Sequence, residues 1–279
     1  GLGDVYKRQI QGIAGAGGIV ISRSVAIDKF SGKELAKMLA VIGAINGVAP
    51  VAAPVIGGLL TGSVGWQGIF MILLFIGILL GIGCIRFKES LPAEKRSKTG
   101  VWATFRSFGI IVHNRRYMLY VFQLAFAQGI LFAYIASSPF IIQQHYGFSP
   151  FAFSICFAVN AVAIGVAAAL SVKFRRTENG TLTGCVGMLV FAVLQMAALY
   201  SGCGFWTYEL LMFALLFMMG LTFTASTTLA MDCERRYAGA ASALLGALCF
   251  ASGGIVSPLV GLGAVSYTHL RAHETDSYL

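Results

Sequence analysis

The polar residues of this chain sit where polar residues are expensive. Gln123, Gln128, Tyr134, Asn160 and Thr224 lie inside long apolar stretches, as do Ser137, Ser138 and a Thr222-x-Thr224-x-Ser226-Thr227-Thr228 cluster. A buried amide or hydroxyl needs a hydrogen-bond partner, because an unpaired polar group in an apolar medium is costly. Such residues either line a water-filled cavity or bridge neighbouring helices, and the residue types leave both readings open. Phe122, Phe126, Phe132, Phe157, Phe217 and Phe223 stand among them and suit either an apolar binding wall or ordinary packing. Arg23 is the one basic residue well inside an apolar stretch. It lies about one turn of helix from the end of its stretch, so it can snorkel to the surface or pair with Asp28, or else line a polar path.

The chemistry of a bond-making site is missing. The six cysteines (84, 156, 185, 203, 233 and 249) form no CxxC pair and read as small buried side chains. Outside the end segments the only histidines are His113 and His145, far apart in sequence, and no nucleophile–base arrangement is visible. Glu209 is placed near one end of its apolar stretch and Asp232 near one end of the same stretch on the other side, so no acid is expected at mid-stretch. The run Gly12-IA-Gly15-A-Gly17-Gly18 has no preceding strand and no following Lys-Ser/Thr, which makes it a close-packing surface rather than a phosphate loop. His269-x3-His273-Glu274 has helical ligand spacing but falls in a segment excluded below. The expectation is no enzyme, no metal and no cofactor.

The most specific motif is Gly47-x-Ala49-Pro50-x-x-Ala53-Pro54-x-x-Gly57-Gly58. Each proline removes a helix hydrogen bond and crowds the preceding turn. Membrane helices accept this when neighbours satisfy the freed carbonyls. Small residues on adjacent turns let a second backbone come close. The motif reads as a bend and a seam along which helices can rock. Ser257-Pro258-x-x-Gly261 repeats the small-Pro-x-x-Gly part 204 residues after Ala53-Pro54-x-x-Gly57, as expected if the chain holds two related halves.

The elements that must position these residues are helices that cross a membrane. The chain is 57% hydrophobic and 11% charged over 279 residues, with mean hydropathy +0.80. A soluble domain carries about 25% charged residues, so lipid must cover much of this surface. Eight apolar blocks, each near the ~20 residues a spanning helix needs, fall at about 10–27, 39–61, 66–85, 117–142, 151–172, 181–201, 206–231 and 239–263. Of the seven connections, 28–38, 86–116, 173–180 and 232–238 hold 16 Lys and Arg, and the other three hold none. Such alternation places the basic loops in the cytoplasm. The +9 net charge therefore meets anionic lipid headgroups rather than nucleic acid. The fold class is all-α, a polytopic membrane helix bundle.

The charged segment 86–116, with Pro92, reads as the linker between a bundle of three helices (10–85) and one of five (117–264). The ends break the charge rule: Lys7 and Arg8 in front, and Arg271 with two histidines behind, fall on the outer side. Residues 1–9 (GLGDVYKRQ) and the tail from 265 resemble translated sequencing-adapter read-through, and both are excluded as non-native.

Three stretches carry a family resemblance. They are Gln11-GIAGAGGIVISRSVAI-Asp28-KFSG, Ala49-PVAAPVIGG-Leu59 followed by Trp66-QGIF, and Ala238-GAASALLG-Gly246. Glu89-Ser90-Leu91-Pro92 and Ser137-Ser138-Pro139-Phe140 fit the same pattern. The chain resembles the major facilitator superfamily, and within it the bicyclomycin-resistance branch of drug:proton antiporters, over about 10–264. The resemblance implies a twelve-helix monomer in the bacterial inner membrane, of which helices four to eleven are present. It implies export of small apolar or cationic drugs in exchange for protons, with the proton gradient as energy source. The coupling acid and the signature loop after helix two would then lie in helices absent from this chain. Arg8 occupies the place of the family's helix-four arginine but belongs to the excluded leader, and Ala49 stands where many relatives carry glycine. The alternative from the same architecture is a transporter of a small metabolite.

Overall fold

In the computed structural model the backbone is described for residues 2–30, 32–87, 89, 101–171, 173–234 and 237–276, and side chains chiefly from Ser63 onward up to Leu262. Expectations that rest on Lys95, Arg96, Lys98, Arg235 and Arg236 fall outside the described residues.

Helices carry the described chain: α1 (Leu2–Lys29), α2 (Gly32–Arg86), α3 (Val101–His113), α4 (Arg115–Pro139), α5 (Pro150–Ser171), α6 (Thr177–Tyr200), α7 (Phe205–Cys233) and α8 (Ala238–Asp276). Among the described residues six stretches are long and apolar enough to cross a bilayer: Ser63–Arg86, Arg115–His145, Pro150–Ser171, Thr177–Tyr200, Phe205–Cys233 and Gly239–Leu262. They match the last six expected spans to within a few residues, and α6 starts earlier than expected because Thr177–Gly180 already winds as helix. The first two expected spans run through α1 and the front of α2, where many side chains lie outside the described set. The end segments excluded above continue their neighbouring helices, since α1 begins at Leu2 and α8 reaches Asp276.

The three connections without Lys or Arg share a backbone device. Each turns on a glycine at positive φ: Gly65 (67°), Gly147 (72°) and Gly202 (69°). A side chain at that φ would be strained, and glycine has no Cβ to clash. Gly65 is also where α2 breaks, with ψ 176° in an otherwise helical run. Within α2 the one break in helical dihedrals among the described residues is at Gly65.

The chain divides into two compact units, Gly1–Ser107 and Phe108–Leu279. In the first, the back half of α2 is exposed and apolar on every side: Leu73, Leu74 and Phe75 are each more than half exposed, and Met71 is 68% exposed. Such a helix has no water-soluble state and takes lipid or other helices as its surroundings. An open groove of about 380 Å³ runs between Gln11 of α1 and Phe70, Leu73, Leu74, Gly77 and Ile78 of α2. Nearby, the Lys29 ammonium lies 5.0 Å from the centre of the Phe87 ring.

In the second unit α7 is the hub. It packs against α4, α5 and α6, while α8 packs on α4. Its buried positions include Tyr208, Met212, Leu215, Leu216, Met219, Thr222, Ala225 and Ser226, which line up at helical spacing toward those neighbours. Glycines set the closest approaches. A Cβ on Gly220 would meet Ala167 Cβ at 2.8 Å and Ile164 Cα at 3.0 Å on α5. A Cβ on Gly184 of α6 would meet the Met218 carbonyl at 2.8 Å and the Thr222 hydroxyl closer still. These are the tight seams of the described structure, formed where small residues let backbones approach.

α4 ends in an unusual way. Pro139 has no N–H to give its own turn, and the chain continues as a π-helical turn, Phe140–His145. The wider winding is closed by the Tyr146 N–H donating to the Ile141 carbonyl at 3.0 Å.

Candidate functional site

The Asn160 amide, at the middle of α5, joins three helices. Its Nδ2 donates to the Tyr134 hydroxyl of α4 at 3.1 Å and to Glu209 Oε1 of α7 at 2.8 Å. Asn160 is fully buried and Tyr134 is 4% exposed. The Tyr134 ring stacks on Phe157, one turn before Asn160, with centres 5.4 Å apart and planes 13° from parallel. This stacking fixes where the hydroxyl points. The inventory is incomplete in a particular way. Asn160 Oδ1, Glu209 Oε2 and the Tyr208 hydroxyl are buried and have no hydrogen-bond partner. Buried polar atoms are paired in most native structures, so these three atoms are open to a further partner such as water.

A second polar chain joins α6, α7 and α4. Thr181 of α6 lies 3.1 Å from the Ser226 hydroxyl of α7, and Ser226 donates to Gln123 Oε1 of α4 at 2.7 Å. The Gln123 amide nitrogen is buried without a partner.

Each end of the unit is tied down. Where α4 begins, the Asn114 amide donates to Glu234 Oε1 at 2.6 Å, and the Tyr117 hydroxyl donates to the Ala241 carbonyl at 2.6 Å. At the opposite end the Tyr146 hydroxyl donates to the Cys203 carbonyl at 2.9 Å. Its ring lies 5.6 Å from Phe205 and 5.8 Å from Tyr208. Burial pushes the Tyr146 phenol up to about 12, so the hydroxyl keeps its proton and remains a donor.

The sequence-derived residues separate accordingly. Tyr134 and Asn160 come together in one network and Gln123 joins the other. Gln128 is half-buried outside both, and so is the Thr224 side chain. Phe126 is 75% exposed and Phe122 50% exposed, away from the networks, whereas Phe157 is buried in one of them. Phe217, with Phe213, Val159, Val162 and Val166, lines an open apolar groove of about 320 Å³ between α5 and α7. Gly57 has open space around it, as does Gly261, and Pro258 is exposed within a continuous α8. The side chains of Arg23, Pro50 and Pro54 and the surroundings of Gly47 and Gly58 lie outside the described residues.

Sequence reasoning puts Glu209 in the first turns of α7, where the structure has it, and gives it no site role; its carboxyl nonetheless hydrogen-bonds the mid-helix Asn160 amide of α5. The signal available was the carboxyl itself, an ionisable group one turn into an apolar helix.

The family model described as Major Facilitator Superfamily matches residues 8–258. The chain belongs to the major facilitator superfamily. Among curated relatives, this superfamily chain is 37% identical over 275 residues to the "Uncharacterized MFS-type transporter YdgK" of Bacillus subtilis, covering 96% of the chain and 68% of the relative. It is 28% identical over 267 residues to the "Bicyclomycin resistance protein homolog" of Haemophilus influenzae, covering 91% and 65%. It is 23% identical over 155 residues to the "Multidrug resistance protein MdtL" of Salmonella heidelberg, covering 55% and 39%. The chain thus spans about two thirds of the length of the first two. It is a multi-pass membrane protein of the all-α transporter type.

Proposed function

We propose that this chain is the greater part of an exporter of apolar or amphipathic compounds, driven by proton antiport in a bacterial inner membrane. The observation that carries the reading is its likeness, over 91% of its length, to a relative whose name states bicyclomycin resistance. The shorter match to a multidrug-resistance relative points the same way. The chemistry agrees. Among the described residues the interior offers aromatic and aliphatic walls with few fixed charges, which select for apolar character rather than for one substrate. Basic residues at one set of helix ends, Arg86, Arg115, Arg116, Lys173, Arg175 and Arg176, place those ends in the cytoplasm. Transporters of this build work by rocking one bundle against another around a shared site. The activity is accordingly assigned to the full-length protein, acting as a monomer on drugs and protons and needing no cofactor.

Expression of the full-length protein in cells is expected to lower steady-state ethidium accumulation several-fold, and a protonophore is expected to abolish the difference. Efflux that persists with the proton gradient collapsed overturns the antiport reading. No change in accumulation of ethidium or other amphipathic dyes, with uptake or release of a small metabolite instead, favours the metabolite transporter.

A further inference from the structure

We propose that Glu209 is a proton-binding site of the second bundle, read out by a reversal of the Asn160 amide. The inference goes beyond the exporter reading and stands whatever the protein carries.

Glu209 has one carboxyl oxygen on Asn160 and the other buried with no partner. Among the described residues of this unit no cation is at hand to pair with it. Helices α5, α6 and α7 contain no Lys, Arg or His, α4 contains none after Arg116, and α8 contains none before His269. The imidazole of His145 is exposed in the turn after α4 and lies edge-on against Tyr146. The groups that face Glu209 are Tyr134 of α4, Cys156 and Asn160 of α5, and Tyr208 beside it on α7, with Tyr146 behind Tyr208. The acids Glu178, Asp232 and Glu234 sit at the opposite helix ends. A carboxylate with one oxygen buried among neutral groups is costly. A proton removes that cost.

The orphaned atoms show what the proton would do next. An ionised carboxyl only accepts, and in that state the Asn160 NH₂ spends both hydrogens, one on Oε1 and one on the Tyr134 oxygen. The amide oxygen is left with nothing. When a hydronium ion gives a proton to Oε2, one of its O–H bonds breaks and water is left, while the carboxyl gains an O–H bond, loses its charge and becomes a donor. The amide oxygen is then the acceptor it needs. A half-turn of the amide about its last side-chain bond, with a rotation of the carboxyl that swings Oε2–H into the place of Oε1, presents that oxygen to hydrogen bonds from both Glu209 and Tyr134. The direction of hydrogen bonding therefore reverses across α4, α5 and α7 together. This couples protonation to the packing of three helices through one fully buried side chain.

The test is carboxyl infrared spectroscopy of the purified chain in phosphatidylcholine vesicles, stepped from alkaline to acid pH. The expected result is a deuterium-sensitive protonated-carboxyl C=O band that grows as pH falls and is lost in Glu209→Gln. Asn160→Ala and Tyr134→Phe, which keep the carboxyl, are expected to move that band in frequency and in midpoint, and they serve if Glu209→Gln does not fold. The proposal is overturned if the wild-type minus Glu209→Gln difference shows no such band at any pH. It is also overturned if neither companion variant moves it. A carboxylate band that responds to sodium ions and not to pH overturns it too, assigning the site to a metal cation.

Discussion

Gly184→Leu is expected to leave the second bundle unable to close. The Cβ alone would sit 2.8 Å from the Met218 carbonyl and closer to the Thr222 hydroxyl, against backbone that cannot swing aside. Three further carbons make the seam between α6 and α7 impossible at its present spacing. Overpacking a tight site costs about 1–3 kcal/mol and sometimes more, and the clash with backbone puts this variant at the upper end. With total stabilities of about 5–15 kcal/mol in folded proteins, the expected readout is a large drop in the yield of monodisperse protein in detergent. It should also lower the temperature at which a thiol-reactive dye reaches the buried Cys249. Gly165→Leu is the control, because a Cβ there meets nothing within 4 Å. Equal loss from both variants would show that the seam does not set the packing of α6 on α7.

Asn160→Leu is expected to be nearly as damaging, for a different reason. Leucine fills similar space but offers no donors, so the Tyr134 hydroxyl and Glu209 Oε1 are orphaned together. Each orphaned partner costs about 1–3 kcal/mol. Gln128→Leu, on the same bundle but outside the network, should change stability by about 0.5 kcal/mol or less. The comparison is made by thermal unfolding of the detergent-solubilised chain. If Asn160→Leu unfolds at the wild-type temperature, the three-helix network contributes nothing to the fold.

How much of this was legible beforehand follows from the physics of each feature. Span length and the placement of charge are one-dimensional properties, so the last six spans and the bare turns could be read directly. The glycines at 65, 147 and 202 fall in those turns because a reversal needs positive φ there. The helix rotations were not legible. Helices α6 and α7 are apolar on nearly every side, so no periodicity says which face meets which neighbour. Gly184 and Gly220 looked like many other glycines, and their role depends on what lies opposite. The network of Tyr134, Asn160 and Glu209 joins residues 26 and 49 apart, and position along a helix did not reveal how far the Glu209 side chain reaches.

Everything above assumes that lipid is the solvent of this chain and that its basic ends face the cytoplasm. The direct measurement uses a protein freed of its native cysteines with Ser149→Cys in the turn between α4 and α5, and a matching protein with Arg175→Cys between α5 and α6. Both are exposed in intact cells to a maleimide that cannot cross membranes. The account predicts that Cys at 149 is labelled in intact cells and Cys at 175 only after the cells are opened. Labelling of 175 with protection of 149 would contradict it.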